Sequence, residues 1–325
     1  MNGYLGVDVG SVSTNIVFMD EGGVVFEAIY LRTLGQPIAT VQKGLRELGG
    51  RLPAGTKIKG VGATGSGRNL IGVIIGADAV KNEITSHAVA TSQVVPGVQT
   101  ILEIGGQDSK IIILRNGVVS DFAMNTVCAA GTGSFLDQQA ARLNISIEEF
   151  GEIALRAASP VRIAGRCAVF AESDMIHKQQ MGCSLADILA GLCEALVRNY
   201  LNNVGKGKEI LAPVVFQGGV AANVGMIRAF EKELGLPVKV PPYFNVMGAV
   251  GAALLSREAV ARKGPSCFKG FRVSEMDFRT GSFECSGCSN LCEVIEIKEE
   301  GDTIARWGDR CGKWSSVVRR EEKIS

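Results

Sequence analysis

The chain has 325 residues, of which 46% are hydrophobic and 21% charged, so it can bury a large core and is long enough for about two domains. Its formal net charge is +1 and it has no basic tract, which gives no electrostatic reason to expect nucleic-acid binding. No run approaches the ~18 apolar residues of a membrane span, and the start lacks the charged block of a signal peptide, so we expect a cytoplasmic protein that does not bind membranes.

The first part of the chain alternates short apolar runs with polar bends, which predicts strands. Residues 4–10 and 15–19 form a predicted hairpin, and residues 24–30 form a third strand. Apolar side chains recur at helical spacing over residues 37–49. Residues 57–64 are a further predicted strand, which ends in a glycine-rich turn.

The pattern restarts near residue 99. Strands are predicted at residues 99–105, 110–115 and 118–124, with a hairpin turn at Asn116–Gly117. Helices are predicted at residues 131–143, 146–157, 169–180, 184–203, 221–234 and 245–262, and short strands at residues 212–217 and 237–240. Two successive copies of a strand-rich unit predict an α/β protein with the duplicated actin-like (ribonuclease H-like) ATPase fold, in which two domains enclose a nucleotide cleft.

The same pattern predicts the domain boundaries. We expect a first subdomain at residues 1–97, completed by the helix at residues 245–262, and a second subdomain at residues 98–244. From about residue 264 the character changes, because cysteines now lie between charged, hairpin-like segments. We therefore expect a small Cys-rich C-terminal extension at residues 264–325.

Matching turns of the two repeats carry an acid beside glycine. Asp8 and Asp108 are suited to hold Mg²⁺ through water, and one of them, or Gln107, can orient an attacking water. Glycine lets backbone N–H groups approach phosphate oxygens, and a helix start favours anions. The predicted nucleotide-binding residues are Gly10, Ser11, Ser13, Thr14, Gly105, Gly106, Ser109, Gly131, Thr132, Gly133, Gly218 and Gly219. Each glycine turn taken singly is equally consistent with a plain hairpin, but four in the correct order favour an ATP or ADP site.

Nine cysteines favour metal or redox use over a disulfide framework. Cys128 stands beside the glycine loop at Gly131–Gly133, and Cys167 precedes a predicted helix. Two interpretations are open for these cysteines. A cysteine at a helix N-terminus generally has a lowered pKa, which suits a metal ligand, whereas a buried cysteine can simply pack as a small hydrophobic residue. Cys183 and Cys193 lie on an amphipathic stretch, and there the core interpretation is favoured.

These motifs resemble the acetate and sugar kinase/heat-shock-70/actin superfamily, and within it the activators of 2-hydroxyacyl-CoA dehydratases and the ATP-dependent benzoyl-CoA reductase subunits. The likeness covers about residues 3–258. It rests on the segments Gly6-Val-Asp-Val-Gly-Ser, Glu103-Ile-Gly-Gly-Gln-Asp-Ser-Lys, Asn125-x-x-Cys-Ala-Ala-Gly-Thr-Gly, Arg166-Cys-x-Val-Phe-Ala-Glu-Ser and Gln217-Gly-Gly-Val-Ala.

The resemblance implies a homodimer in which ATP hydrolysis gates the transfer of single low-potential electrons. The donor would be ferredoxin or flavodoxin. The acceptor would be a partner iron–sulfur enzyme of the 2-hydroxyacyl-CoA dehydratase, benzoyl-CoA reductase or double-cubane kind. The resemblance also implies that Cys128 and Cys167 hold a 4Fe–4S cluster shared across the dimer. A cubane cluster takes four thiolates, and a two-fold axis doubles two cysteines to four.

The C-terminal extension offers four more thiols, Cys285, Cys288, Cys292 and Cys311. A C-x2-C pair on a tight turn suits zinc or a second iron–sulfur cluster, and unligated thiols are the alternative. Two other functions compete with the electron carrier: a small-molecule (sugar) kinase of the same superfamily, and a non-enzymatic regulator or chaperone-like ATPase.

Overall fold

The computed structural model describes residues 1–317, which form two compact units. One unit contains residues 1–82 together with the described residues from 252 onward, and the other contains residues 83–251. The unit boundaries thus lie at 82/83 and 251/252, whereas the sequence pattern predicted changes after residues 97 and 244. The difference at the first boundary arises because the helix at Glu83–Val94 contacts strands of the second unit.

The first unit is built on a five-stranded mixed sheet. Its strands are β1 (Asn2–Val9), β2 (Ser13–Asp20), β3 (Val25–Arg32), β4 (Lys57–Thr64) and β5 (Ala79–Val80), in the order β3-β2-β1-β4-β5. Helices α1 (Pro37–Arg51) and α2 (Arg68–Ile75) accompany it. α1 starts with Pro37, which suits a first helical turn, and buries Val41, Leu45 and Leu48 on one face. These side chains belong to the same apolar core as Ile16 of β2.

The second unit repeats that arrangement with more helices. Its elements are α3 (Glu83–Val94), β6 (Thr100–Ile104), β7 (Ser109–Arg115), β8 (Val118–Asn125), α4 (Gly133–Arg142), α5 (Ile147–Ala154), α6 (Ala168–Gln180), α7 (Leu185–Tyr200), β9 (Val214–Gln217), α8 (Val224–Leu234) and β10 (Val238–Lys239). The helix α9 (Met247–Lys263) begins in this unit and ends in the first.

The two sheets share one topology, which confirms the predicted duplicated α/β fold. The strand order β8-β7-β6-β9-β10 of the second unit has the same connectivity as β3-β2-β1-β4-β5 of the first. In each sheet the first strand pairs antiparallel with the second and parallel with the fourth. The predicted hairpin turn is also present, since Asn116 and Gly117 both have positive φ, 53° and 76°.

The C-terminal part forms a third, four-stranded antiparallel sheet. It contains β11 (Phe278–Glu284), β12 (Glu293–Glu299), β13 (Asp302–Trp307) and β14 (Ser316–Val317), in that order. The turn before it, Phe271–Glu275, contacts α1, and Val273 is fully buried in the core of the first unit. Gln42 of α1 donates to Val273 O at 2.9 Å. The separate sheet confirms the small C-terminal module that the sequence predicted, and this module is part of the first compact unit.

Within the part of the chain that the structure describes, none of the helices has both the length and the apolar character needed to span a bilayer.

Candidate functional site

In the first unit, the candidate phosphate loop follows β1. Asp8 lies one residue before the end of β1, and Gly10 N donates to Ser13 O at 2.9 Å, which closes the turn into β2. After β4, Gly65 has a φ of +90°, and a Cβ there would lie 2.6 Å from Asp8 Oδ1 and 2.4 Å from Val9 O. Only glycine therefore lets this second turn approach the carboxylate so closely.

In the second unit, the turn from β6 to β7 forms the matching loop. Gly105 N donates to Asp108 O at 3.0 Å, and Gln107 at the loop tip is exposed. Lys110 Nζ donates to Asp108 Oδ1 at 2.9 Å, and the Asp108 side chain keeps 33% of its surface exposed. A carboxylate fixed in this way at a loop surface can hold Mg²⁺ through water.

Gly218 brings a second turn of this unit, after β9, against the end of β6. Its φ is +89°, and a Cβ at this position would lie 2.4 Å from Ile104 O and 2.8 Å from Glu103 Oε1. Gly218 N donates to Phe244 O at 2.8 Å, while its neighbour Gly219 is exposed. The close approach and the positive φ both require glycine here.

The start of α4 is hydrogen-bonded to the Gly105–Asp108 loop. Gly133 N donates to Gly105 O at 2.9 Å, and Ser134 N donates to Gly106 O at 2.9 Å. Ser134 Oγ also lies 2.5 Å from Gly106 O. Cys128 lies only five residues before Gly133, so a short segment joins the cysteine to the helix start that is bonded to this loop.

A buried ionic cluster supports the Gly105–Asp108 loop. Lys110 Nζ lies 2.7 Å from Glu83 Oε2, 3.0 Å from Glu103 Oε2 and 2.9 Å from Asp108 Oδ1. The three carboxylates raise the pKa of Lys110 despite its burial. Burial raises the pKa of Glu103 to about 7, although the ammonium group opposes this shift. A cation with three anionic partners fixes the positions of β6, β7 and α3 relative to one another.

Next to this cluster lies a buried histidine. Gln217 Nε2 is 2.8 Å from His87 Nδ1, and Gln217 Oε1 is 2.8 Å from Thr91 Oγ1. Burial and the nearby Lys110 charge lower the pKa of His87 to about 4. His87 is therefore neutral at neutral pH and holds the end of β9, just before Gly218.

Cys128 precedes a short 3-10 turn, Ala129–Gly131, that leads into α4. Asn125 fixes its backbone on both sides, since Asn125 Oδ1 accepts from Cys128 N at 2.9 Å and Asn125 Nδ2 donates to Cys128 O at 2.9 Å. The Cys128 side chain is half-buried. Its thiol is thus held at the surface by a rigid loop.

Asn199 of α7 connects the two cysteine loops. It is buried, its Nδ2 lies 3.7 Å from Cys128 Sγ, and the same nitrogen donates to Gly165 O at 2.6 Å. Gly165 comes two residues before Cys167, which is half-buried and directly precedes α6. One buried amide therefore holds both loops, and α6 contacts the turn that follows Cys128.

Apolar side chains beside both cysteines are exposed. Val127 precedes Cys128 and is 94% exposed, while Val169 and Phe170 follow Cys167 and are 69% and 64% exposed. Exposed large apolar residues grouped around a polar site are typical of an interaction surface. Among residues 1–317 no three His, Cys, Asp or Glu side chains form a group that could hold a metal ion.

The other predicted site residues differ in how much of their surface is exposed. The exposed or half-buried ones are Gly10, Ser11, Ser13, Gly105, Gly106 and Gly133, and the buried ones are Thr14, Ser109, Gly131 and Thr132. Thr14 Oγ1 lies 2.9 Å from Thr33 Oγ1, and Thr132 Oγ1 donates to Ala129 O at 2.8 Å. Both hydroxyls face the interior, where they hold a neighbouring turn.

Two functional features were missed by sequence reasoning. The Lys110 cluster could have been noticed from charged residues inside buried strands, which are rare unless paired. Asn199 is a polar residue on the otherwise apolar face of α7, and such a residue usually has a buried partner. Neither signal identifies the partners, and Glu83 of the Lys110 cluster and Cys128 beside Asn199 both come from a different part of the sequence.

Comparison with known proteins agrees with this geometry. The model of the BadF/BadG/BcrA/BcrD ATPase family matches residues 5–256. The chain is 35% identical over 268 residues to the (R)-2-hydroxyglutaryl-CoA dehydratase activating ATPase of Acidaminococcus fermentans, covering 79% of this chain and 98% of that protein. It is 35% identical over 263 residues to the activator of lactoyl-CoA dehydratase of Anaerotignum propionicum, covering 80% and 99%.

A solved structure is similar as well. The activator of the 2-hydroxyisocaproyl-CoA dehydratase from Clostridium difficile, with bound ADPNP, has a TM-score of 0.72 and 32% sequence identity, covering 80% of this chain and 96% of that one. The match of the family model contains both glycine loops, Cys128 and Cys167, and it ends before the C-terminal cysteines.

Proposed function

Because the chain belongs to the BadF/BadG/BcrA/BcrD ATPase family, we propose that it is an ATP-hydrolysing activator that delivers single low-potential electrons to a partner iron–sulfur enzyme. Relatives named as activators of dehydratases, and one named as part of a benzoyl-CoA reductase, support a partner of that class. Reduced ferredoxin or flavodoxin is the proposed donor.

The glycine loops supply the proposed ATP chemistry. With Mg²⁺ and ATP bound, the carboxylates of Asp8 and of Asp108 would each be suited to hold the metal through water, and Gln107 would orient the water that attacks the γ-phosphate. That attack breaks the bond between the β- and γ-phosphates and yields ADP and inorganic phosphate. Backbone N–H groups of the loops around Gly10 and Gly105, and the start of α4, stabilise the phosphate charge.

The two helix-start cysteines fit half of a cubane cluster. We propose that Cys128 and Cys167 of two identical chains hold one 4Fe–4S cluster, which when bound supplies one-electron redox chemistry. One chain offers two thiols, and exposed Val127, Val169 and Phe170 surround them. A second copy related by a two-fold axis would cover these apolar side chains and complete the ligand set.

The observation that carries the proposal is the hydrogen-bonded link from Gly105 and Gly106 to Gly133 and Ser134. Nucleotide-dependent displacement of the phosphate loop moves the start of α4 through these bonds. Cys128 moves with it because it lies in the same short segment. ATP hydrolysis and electron transfer are thereby coupled within one unit of one chain.

The proposal is tested by iron analysis of protein prepared without oxygen. In the wild type we expect ~4 iron atoms for each pair of chains in this site. Cys128→Ser and Cys167→Ser should each lose this iron and the dimer, because each substitution removes two of the four ligands. Cys183→Ser is the matched control, since Cys183 is half-buried in the same unit, and it should keep both. Iron retained in Cys128→Ser, or a monomeric iron-free wild type, would contradict the proposal.

A further inference from the structure

One end of the C-terminal sheet carries four cysteines. The ladder of β11 and β12 ends at the pair Glu284 and Glu293, so Cys285 and Cys292 stand directly beyond it. Cys285 N donates to Cys292 O at 2.8 Å, which closes the connecting loop. Cys288 lies within that loop and is exposed. Three thiols thus belong to one short, closed loop.

The fourth cysteine approaches from the loop after β13. Gly308 begins this loop with a φ of +109°, and a Cβ there would lie 2.5 Å from Glu293 O. The loop therefore starts against the beginning of β12. It then returns to the first loop, because Trp314 Nε1 donates to Cys285 Sγ at 3.1 Å. Cys311 is exposed between these two fixed points.

The two ends of this sheet are held differently. The end of β12 at Glu299 is tied to the preceding segment by Lys269, at 3.3 Å, and Ile297 is buried. At the cysteine end, Phe283 of β11 contacts Trp314 of the second loop, with ring centroids 5.1 Å apart. Val294 is buried at this end, but the loop residues 286–291 and 310–313 are exposed. Small modules with little core usually need a metal or a disulfide, and these loops have little core of their own.

We propose that Cys285, Cys288, Cys292 and Cys311 bind one zinc ion that fastens the two loops together. Structural zinc sites use four thiolates in a closed tetrahedron, with the first pair spaced as C-x2-C. An N–H donor to a ligating sulfur, such as Trp314 Nε1, is the supporting contact that such sites use. No three of these thiols form a metal-holding group within residues 1–317. Zinc binding would therefore require exposed Cys288 and Cys311 to move closer to Cys285, and the thiols would lose their protons.

The charge around the loops suits this site. A zinc ion with four thiolates carries a net negative charge. A Cβ built on Gly287, in the first loop, would lie 3.6 Å from Lys313 Nζ, so the ammonium group is close to this loop. Lys313 and Arg306 also lie over the Trp314 ring, at 5.3 and 5.4 Å from its centroid. Lys313 is therefore a cation close to the proposed anionic centre, whereas Arg306 is itself paired with Glu296 and the Asp309 carboxylate lies 3.8 Å from Cys311 Sγ. The inference does not rest on the proposed electron transfer.

The test is elemental analysis and native mass spectrometry of the full chain, purified without oxygen. We expect about one zinc ion per chain in the wild type. Cys288→Ser and Cys311→Ser should each lose it, whereas Cys267→Ser should keep it, because Cys267 is an exposed cysteine of the same unit outside both loops. Circular dichroism checks that each variant is folded, and zinc added back to metal-depleted wild type should restore the ion.

Three results would overturn the inference. The first is an equal zinc content in Cys288→Ser and Cys267→Ser. The second is iron in place of zinc at these four thiols. The third is a protein mass showing that the four thiols are oxidised to disulfides in the anaerobic protein. The variants also separate the two sites. Cys128→Ser should lose iron and keep zinc, so that failure of one proposal leaves the other measurable.

Discussion

At the residue scale, the candidate site depends on a few buried polar side chains that make several bonds each. Lys110 satisfies three carboxylates, and Asn199 contacts Cys128 and Gly165 with one amide. Removing one partner from such a buried arrangement leaves another group unsatisfied, which costs roughly 1–3 kcal/mol. These side chains therefore fix the loops even though they are themselves buried.

His87 gives a pH-dependent prediction. Its pKa is about 4 in the folded protein and ordinarily 6.5, so the unfolded chain binds the extra proton between these values. Stability that His87 provides is therefore lost as pH falls from 6.5 toward 4. We expect the unfolding free energy of the wild type, relative to His87→Gln, to fall by up to about 3 kcal/mol over this range.

Urea titrations at several pH values measure this difference. Glu103 has the opposite effect on stability. Its pKa is raised to about 7, so the folded protein keeps a proton that the unfolded chain releases, and its contribution to the unfolding free energy grows as pH falls. Glu103 is present in both proteins, so its effect largely cancels. His177→Gln is the control, since His177 is exposed and is the only other histidine. A pH profile identical for all three proteins would exclude this role for His87.

At the scale of elements, the start of α4 is where the phosphate loop and the cysteine loop meet. Gly133 and Ser134 are bonded to Gly105 and Gly106, and the preceding turn leads back to Cys128. Asn199 then extends the connection to the start of α6. Two helix starts and one loop thus form a continuous hydrogen-bonded path inside the second unit.

If the proposed cluster is present, this path predicts that nucleotide changes its redox properties. The EPR spectrum and midpoint potential of the reduced wild type should differ between ADP and a non-hydrolysable ATP analogue. Ser134→Ala removes the hydroxyl contact with Gly106 O, so we expect it to weaken this coupling by up to about 1 kcal/mol.

Ser173→Ala is the control, because its hydroxyl bonds only within α6, to Val169 O. Direct titration of each nucleotide separates weaker coupling from weaker binding. If the wild type gave the same spectrum and potential with both nucleotides, the coupling would be disproved.

At the scale of the whole molecule, the C-terminal part completes the first unit. Val273 lies outside the matched family region, residues 5–256, yet it is fully buried in the core that includes Leu45 and Leu48 of α1. Arg46 of the same helix donates to Ser274 O at 2.8 Å. The surface of α1 that this segment covers is therefore part of the core.

Val273→Ala measures how much this packing contributes. Losing two buried methyl groups should lower the unfolding free energy by about 2 kcal/mol, at ~0.8 kcal/mol per group plus a cavity term. Val24→Ala in the same unit is the control, since Val24 is 61% exposed and should change stability little. Equal unfolding free energies for the two variants would show that the segment does not pack on α1.

The sequence by itself determined the local structure, the duplicated fold and the positions of the glycine turns. Alternating and helical periodicities are local properties, so strands such as β6 to β8 could be predicted within a few residues. The segments around Asp8, Gly105 and Gly218 were also recognisable, because phosphate chemistry requires glycine near an acid.

Only the tertiary structure decided which distant residues support those segments. Asn199 and Cys128 are 71 positions apart, and Gln42 and Val273 are 231 apart. No periodicity links such pairs, because their contact depends on how helices pack on sheets. The loops were therefore predictable as motifs, whereas the buried side chains that hold them became visible only once the chain was folded.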